Sequence, residues 1–160
     1  MANFGELVLV LGDMHIPQRA SKIPAPFKRM LVPNKMQHVI CTGNVSQEQY
    51  EELRGLAPNV HIVSGEFDDL EPNNGSVSFP ETRVLQVGAF RIGVVHGHQL
   101  IPWKSKEAIE RMRRKLDVDV IVTGHTHQNE VNVQEEDYYH INPVSCGKKT
   151  SVFFFCKFQA

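Results

Sequence analysis

Short apolar runs, each followed at once by glycine and polar residues, recur along this 160-residue chain. Because the runs are continuous and do not alternate with polar residues, they predict strands that are buried on both faces. The five clearest runs are residues 7–11, 39–41, 61–63, 92–95 and 118–122.

Helix-favouring segments lie between several of these runs. Residues 25–31 follow Pro24 and end before Pro33, which marks a helix start and stop. Residues 47–56 follow Ser46, a candidate N-cap, with Gln49 at the capping-box position. Residues 104–116 carry one apolar stripe at helical spacing. Alternation of strands and helices at this spacing predicts an α/β fold.

The second half of the chain departs from simple alternation. Residues 84–95 contain two strand-like runs around Gly88-Ala89, which predicts a hairpin and therefore a mixed sheet. Further strands are predicted at residues 128–133, 138–141 and 152–158. Residues 71–78 are rich in Pro, Asn and Gly and predict a surface loop. Since no repeat or linker divides the sequence, we expect one domain over residues 1–160.

The composition argues against several classes of protein. A net charge of −1 gives no electrostatic basis for binding nucleic acid or an anionic membrane surface. Three cysteines are too few, and odd in number, for a secreted disulfide framework. The longest apolar run, residues 7–11, is far shorter than a membrane span. We therefore expect a cytoplasmic domain that does not insert into a membrane.

The polar residues that follow the strands are of the types that bind metal ions. The carboxyl ends of strands converge in α/β sheets, and the neighbouring glycines let the backbones approach closely. Carboxylate, amide and imidazole groups together suit Mn²⁺, Fe²⁺ or Zn²⁺. A two-metal site of this kind clamps a phosphate ester and lowers the pKa of bound water. The candidate residues are Asp13, His15, Asn44, Glu66, His96, His98, His125 and His127.

Other conspicuous residues have structural interpretations. His38, His61 and His140 begin strand runs and are interpreted as structural. Trp103 stands beside a proline at the start of the long helical segment and is interpreted as a packing anchor. Cys41 lies inside a predicted buried strand, where cysteine behaves as a small apolar side chain.

The order of the motifs resembles the calcineurin-like metallophosphoesterase superfamily, which has Asp-x-His, Gly-Asp, Gly-Asn-His, His and Gly-His-x-His on a β sandwich flanked by helices. The matching strings here are Asp13-Met14-His15, Gly43-Asn44, Gly65-Glu66-Phe67-Asp68, His96 and Gly124-His125-Thr126-His127. Within that superfamily, the strings His96-Gly97-His98-Gln99 and Ile101-Pro102-Trp103 are similar to those of the vacuolar protein sorting 29 family of retromer subunits. The resemblance implies an α/β/β/α sandwich of mixed sheets.

The resemblance also implies a ligand set for two weakly bound or absent divalent ions. One ion takes Asp13, His15 and His127, the other takes Glu66, His96 and His125, and Asn44 lies between them. Active enzymes place a bridging aspartate at the position of Asn44 and a leaving-group acid at the position of Phe67. Losing a general acid typically costs about 10²- to 10⁴-fold in rate. No catalytic residue is therefore expected; the alternative is a weak metal-dependent phosphodiesterase.

By the same resemblance the chain is a non-catalytic retromer scaffold in endosome-to-Golgi retrograde transport, peripheral at the endosome membrane through the complex. The resemblance implies that it binds the C-terminal helical solenoid of the large subunit, of the vacuolar protein sorting 35 type, and that a second surface binds Rab regulators. The implied solenoid contacts are Ile101, Leu100, Ile16 and Pro17, and the implied regulator contacts are Leu7, Met30 and Leu31.

The resemblance is lost after about residue 145, and the sequence stops before the family's usual end. Val144 also stands where the family has glycine in an Asn-Pro-Gly-Ser string. Residues 152–158 then offer one strongly apolar strand, which is an aggregation hazard if it is left unpaired. Either the sheet is completed differently, or the chain is a shortened form that neither docks nor catalyses.

Overall fold

A computed structural model describes residues 5–16, 19, 21–68, 77–133, 138–143 and 154–158. The described helices are α1 (Ala25–Lys28), α2 (Gln47–Arg54) and α3 (Lys106–Leu116). The described strands are β1 (Glu6–Leu11), β2 (His38–Cys41), β3 (Asn59–Ile62), β4 (Thr82–Val87), β5 (Phe90–Val95), β6 (Val120–Val122), β7 (Glu130–Val133), β8 (Tyr139–Asn142) and β9 (Phe154–Phe158).

The strands form two mixed sheets. In the first sheet, with the order β3-β2-β1-β9, the strands β1, β2 and β3 are parallel and β9 runs antiparallel to β1. In the second sheet, with the order β4-β5-β6-β8-β7, the strands β5, β6 and β8 are parallel. Antiparallel β4 and β7 complete its two sides. The predicted hairpin is confirmed, since β4 and β5 pair around Gly88 and Ala89.

Three apolar layers hold the sandwich together. Val8 and Val10 of β1 face the second sheet and pack with residues such as Ile92 and Val122. The alternate residues of β1 face the other way, where Leu9 and Leu11 pack with Leu53 of α2. On the outer face of the second sheet, Ile121 of β6 packs with Ala108 and Ile109 of α3. The predicted α/β/β/α architecture is confirmed.

Local signals determine where the two longer helices begin. The Ser46 side chain accepts a hydrogen bond from the backbone N–H of Gln49, and the Gln49 side chain accepts one from the backbone N–H of Ser46, so the predicted capping box forms. The long helix begins at Lys106, two residues later than predicted, because Ser105 is its N-cap. Lys104 has a φ of +64°, which is outside the helical region and keeps the preceding segment out of the helix.

The three histidines interpreted as structural tie strands together. His38 of β2 contacts both neighbouring strands. Its Nε2 lies 2.9 Å from Oε2 of Glu6 on β1, and its Nδ1 lies 3.1 Å from Nε2 of His61 on β3. His140 on β8 is buried, with Nε2 2.8 Å from the hydroxyl of Thr123, and its burial lowers its pKa to about 4. None of the helices within the described residues combines the length and hydropathy that crossing a membrane requires.

Candidate metal centre

Asp13, in the loop after β1, is the hub of a buried polar cluster. Its carboxylate accepts a hydrogen bond of 2.9 Å from the Thr42 hydroxyl and one of 3.2 Å from the backbone N–H of His125. His127 Nε2 lies 3.2 Å, and His15 Nε2 3.7 Å, from the same carboxylate. Burial alone would raise the pKa of Asp13, but the hydrogen bonds with His127 and His15 hold it well below its usual range. Asp13 therefore remains a carboxylate at neutral pH.

The first ligand group consists of Asp13, His15 and His127, whose ligand atoms all lie within 4.8 Å of one another. Asn44 borders this group, because its Nδ2 is 3.2 Å from His15 Nε2. Its Oδ1 accepts a hydrogen bond of 3.2 Å from the Phe67 backbone N–H. Positive φ angles in non-glycine residues are uncommon and cluster at functional sites. Within the described residues seven occur, and four of them belong to the candidate site: His15, Asn44, His125 and His127.

The second group forms around Glu66 and His96. Nδ1 of His96 lies 2.6 Å from the Thr42 carbonyl oxygen, so this nitrogen donates and Nε2 is left as an acceptor. Nε2 faces Oε2 of Glu66 at close range, and both atoms are buried without a hydrogen-bond partner. Two facing acceptors are unfavourable unless they bind a proton or a metal ion. The group therefore fits a divalent ion, in agreement with its carboxylate and imidazole chemistry.

Two further imidazoles border Glu66. Nδ1 of His125 lies 3.3 Å from Glu66 Oε1, as the sequence-based ligand set requires. His98, which that set omits, also belongs to the group, since the ligand atoms of Glu66, His96 and His98 lie within 4.8 Å of one another. Burial would raise the pKa of Glu66, but a backbone hydrogen bond and the adjacent His96 and His125 imidazoles hold it below its usual value.

Asp68 joins the loops that carry these ligands. Its carboxylate accepts backbone hydrogen bonds from Asn44 at 2.9 Å, Val45 at 3.0 Å and Gly65 at 2.8 Å. Burial raises the pKa of Asp68 in spite of these bonds. Asp68 therefore positions the loops after β2 and β3 and does not face the candidate metal positions.

Asn142 of β8 supports the loop that carries His125 and His127. Its Oδ1 accepts a hydrogen bond of 2.8 Å from the Thr126 hydroxyl. Its side-chain nitrogen donates to the carbonyl oxygens of Thr123 and Gln128, both at 3.2 Å. This buried amide thus holds both ends of the loop. The sequence analysis did not assign this role to Asn142. The signal that could have pointed to it is Thr126, which stands between two ligand histidines and whose hydroxyl needs a hydrogen-bond partner.

An open cavity of about 420 Å³ adjoins the two ligand groups. Phe67 stands half-exposed at its wall, with its ring edge-on to His15 at 5.6 Å between centroids. Arg19 lies 3.2 Å from His127 Nδ1. The complete lining is Arg19, Glu66, Phe67, Trp103, Lys104, His125, Thr126 and His127.

The interpretation of Trp103 as a packing anchor at the start of the helix is wrong. Trp103 is 60% exposed at the rim of the cavity, where its ring meets His125 edge-on at 4.5 Å. Its indole N–H donates to the His98 carbonyl at 3.4 Å. The left-handed backbone of Lys104 separates Trp103 from α3 and leaves it beside the metal centre.

The residues implied as partner contacts occupy different environments. Ile101 is 76% exposed, whereas the adjacent Leu100 and also Ile16 are buried in apolar clusters. At the other surface Met30 is exposed, Leu7 is partly buried and Leu31 is buried. Pro17 lies outside the described residues.

Comparison with known proteins places this geometry in a family. Residues 7–154 match the calcineurin-like phosphoesterase superfamily domain. The vacuolar protein sorting-associated protein 29 of Schizosaccharomyces pombe is 37% identical over 123 residues, which cover 76% of this chain and 63% of that protein. The chain thus spans less than two thirds of the length of this curated relative.

Two solved structures are similar over most of this chain. Vps29 from Cryptosporidium parvum superposes with a TM-score of 0.81 at 42% identity, covering 89% of this chain and 75% of that one. Wild-type Vps29 from Entamoeba histolytica, in complex with Zn²⁺, superposes with a TM-score of 0.75 at 44% identity. The latter match covers 87% of this chain and 74% of that one.

Proposed function

Because this chain belongs to the Vps29 family within the calcineurin-like phosphoesterase superfamily, we propose that it is a scaffold subunit of a retromer coat. It binds the C-terminal helical solenoid of the large, vacuolar protein sorting 35-type subunit and acts in endosome-to-Golgi retrograde transport. It reaches the endosome membrane through that complex.

The exposure of Ile101 supports this proposal most directly. Its side chain is 76% exposed, two residues before Trp103, and Trp103 and Phe67 are exposed apolar side chains that line the cavity. Neighbouring exposed apolar side chains mark protein interaction sites, and binding energy concentrates in a few apolar and aromatic anchors. A helical solenoid presents the apolar grooves between helices into which such a side chain inserts. The buried Leu100 and Ile16 support the loop and do not provide contact surface.

The site chemistry argues against efficient hydrolysis. Phe67 borders the cavity where a leaving-group acid is needed, and a benzyl ring cannot transfer a proton. Asn44 contributes a neutral amide beside the first ligand group, which attracts two dications less than a bridging carboxylate does. The loss of both groups favours a scaffold over an enzyme.

We expect calorimetry to show micromolar or tighter binding between this chain and the C-terminal half of the retromer solenoid subunit. Ile101→Asp should weaken that binding at least about 100-fold, because it places a charge in an apolar contact.

The matched control is Val133→Asp, which changes a valine that is 68% exposed on the edge strand β7 and should bind as the unmodified chain does. Absence of binding by the folded, unmodified chain would contradict the scaffold proposal. Equal binding by Ile101→Asp would contradict the position of the interface.

A weak metal-dependent phosphodiesterase is the second candidate function, favoured by two ligand groups that adjoin one open cavity. If it holds, Phe67→His should raise Mn²⁺-dependent hydrolysis of an alkyl phosphodiester by roughly 10²-fold, because the new imidazole can protonate the leaving group. A nitrophenyl ester should gain less, since its leaving group needs little protonation. Phe67→Leu is the control, and equal rates for both variants would reject this candidate.

A second surface, around Leu7 and the exposed Met30, is the region we assign to Rab regulators. Met30 and Val32 are both exposed, and they provide apolar side chains for such a contact. Leu31 stands between these two residues in the sequence, and its buried side chain anchors the segment to the core.

A further inference from the structure

Buried polar side-chain atoms without a hydrogen-bond partner are concentrated at one point of the molecule. Within the described residues there are five such atoms, and one of them, Nδ1 of His61, belongs to β3. The other four all belong to residues that surround the second candidate metal position. They are Oε2 of Glu66, Nε2 of His96, Nδ1 of His98 and Nδ1 of His125.

These four side chains form a compact group. The ring centroid of His96 lies 5.3 Å from that of His98 and 5.4 Å from that of His125. The rings of His98 and His125 are 6.4 Å apart. All three imidazoles lie close to the Glu66 carboxylate: Nδ1 of His125 is 3.3 Å from its Oε1, and the ligand atoms of Glu66, His96 and His98 lie within 4.8 Å of one another.

The hydrogen bonding of His96 suits metal binding. Nδ1 of His96 donates to the Thr42 carbonyl, so Nε2 is the atom that faces Glu66. A buried imidazole nitrogen without a partner costs stability, and coordination of a cation removes that cost.

We propose that His98 is a fourth protein ligand of the second metal ion, so that Glu66, His96, His98 and His125 form a closed site. Zinc sites with four protein ligands are structural, whereas catalytic sites keep one position open for water. An ion at this position therefore stabilises the loops and does not generate a hydroxide nucleophile. This assignment goes beyond solenoid binding and does not depend on it.

Trp103 supports the same assignment. Its indole N–H donates to the His98 carbonyl and its ring packs edge-on against His125. One side chain thus braces two of the proposed ligands. Outer-sphere support of this kind is what orients metal ligands in known sites.

Cobalt substitution tests the assignment directly. The full chain is titrated with Co²⁺, whose visible absorption is several-fold stronger in four-coordinate sites than in sites with more ligands, and Zn²⁺ competition gives the affinity. We expect His98→Phe to lower the affinity of the second site by at least about 10- to 100-fold and to weaken the visible band several-fold, because more than one water can enter the opened position and raise the coordination number.

Gln99→Ala is the matched control for disturbance of the loop. It removes side-chain hydrogen bonds to the Gly97 backbone N–H, at 3.1 Å, and to the Glu81 carbonyl, at 3.4 Å, but no proposed ligand. Its cobalt band should equal that of the unmodified chain. A band and affinity in His98→Phe equal to those of the unmodified chain would overturn the proposal.

If His98→Phe does not fold, a crystal structure of the zinc-loaded, unmodified chain decides the question. Nδ1 of His98 at about 2.0–2.1 Å from the second ion supports the assignment, since this is the usual Zn–N distance. A longer separation, with water in the fourth position, overturns it.

Discussion

Gly43→Ala is expected to lower the free energy of unfolding by about 3 kcal/mol or more. Gly43 has a φ of +116°, a conformation that L-residues rarely adopt. An added Cβ would also lie 2.6 Å from the Gly65 nitrogen and 2.8 Å from the Val63 carbonyl oxygen. Both neighbours are backbone atoms, which cannot move aside as the end of a side chain can. The loops after β2 and β3 would have to separate, and with them Asn44 and Glu66.

Gly88→Ala is the control for this prediction. Gly88 also has a positive φ, of +57°, but a Cβ there meets nothing within 4 Å. We therefore expect a cost of only about 1 kcal/mol, from the backbone conformation alone. Urea denaturation followed by circular dichroism measures both variants. Equal, small losses would show that the close approach of the two loops does not constrain the fold.

Asp13→Asn is expected to lower the affinity for Zn²⁺ by more than about 100-fold. Loss of an outer-sphere partner alone typically costs 10- to 100-fold, and Asp13 is the only carboxylate of the first ligand group. The substitution keeps the size of the side chain and removes its charge. Isothermal titration calorimetry on the metal-free chain measures the loss, and the rise in melting temperature on adding Zn²⁺ should shrink in parallel.

The matched control is Asp119→Asn, an exposed aspartate whose carboxylate accepts a hydrogen bond from the Arg91 backbone N–H at 2.8 Å. This change should leave Zn²⁺ binding unaltered. Zinc affinity in Asp13→Asn close to that of the unmodified chain would show that the first group does not bind the metal as the geometry indicates.

Much of the architecture follows from short-range patterns in the sequence. The run of residues 7–11 is apolar at every position, because β1 lies between the helices on one side and the second sheet on the other. The start of α2 at Gln47 follows from the local pairing of Ser46 with Gln49. Such signals depend on neighbours within one turn, so they can be recognised without the tertiary structure.

The direction of individual loop side chains could not be predicted in the same way. Leu100 and Ile101 are adjacent and equally apolar, yet the first is 7% exposed and the second 76%. In a strand or helix the regular period would assign one of them to the core, but a loop has no period. Trp103 was misplaced for the same reason, because the turn at Lys104 depends on backbone geometry that apolar patterning does not reveal.

The two ligand groups were also predictable only in part. The ends of the strands predict which residues gather at one edge, but not which imidazole faces which carboxylate. His98 joins Glu66 through the position of β3 relative to β5. Asn142 reaches the loop after β6 from β8. Both relations join segments that are distant in the sequence, so they become visible only in the folded chain.

The pairing of β9 with β1 has a consequence for how the chain is made. Translation delivers β1 before every other described strand and β9 after them, yet the two are neighbours, with Val8 opposite Cys156. While the nascent chain grows, β2 can pair with one side of β1, but its other side keeps an open row of backbone hydrogen-bonding groups. Closure of the first sheet therefore waits until β9 has been made, and until then this edge of β1 is open to pairing with other chains.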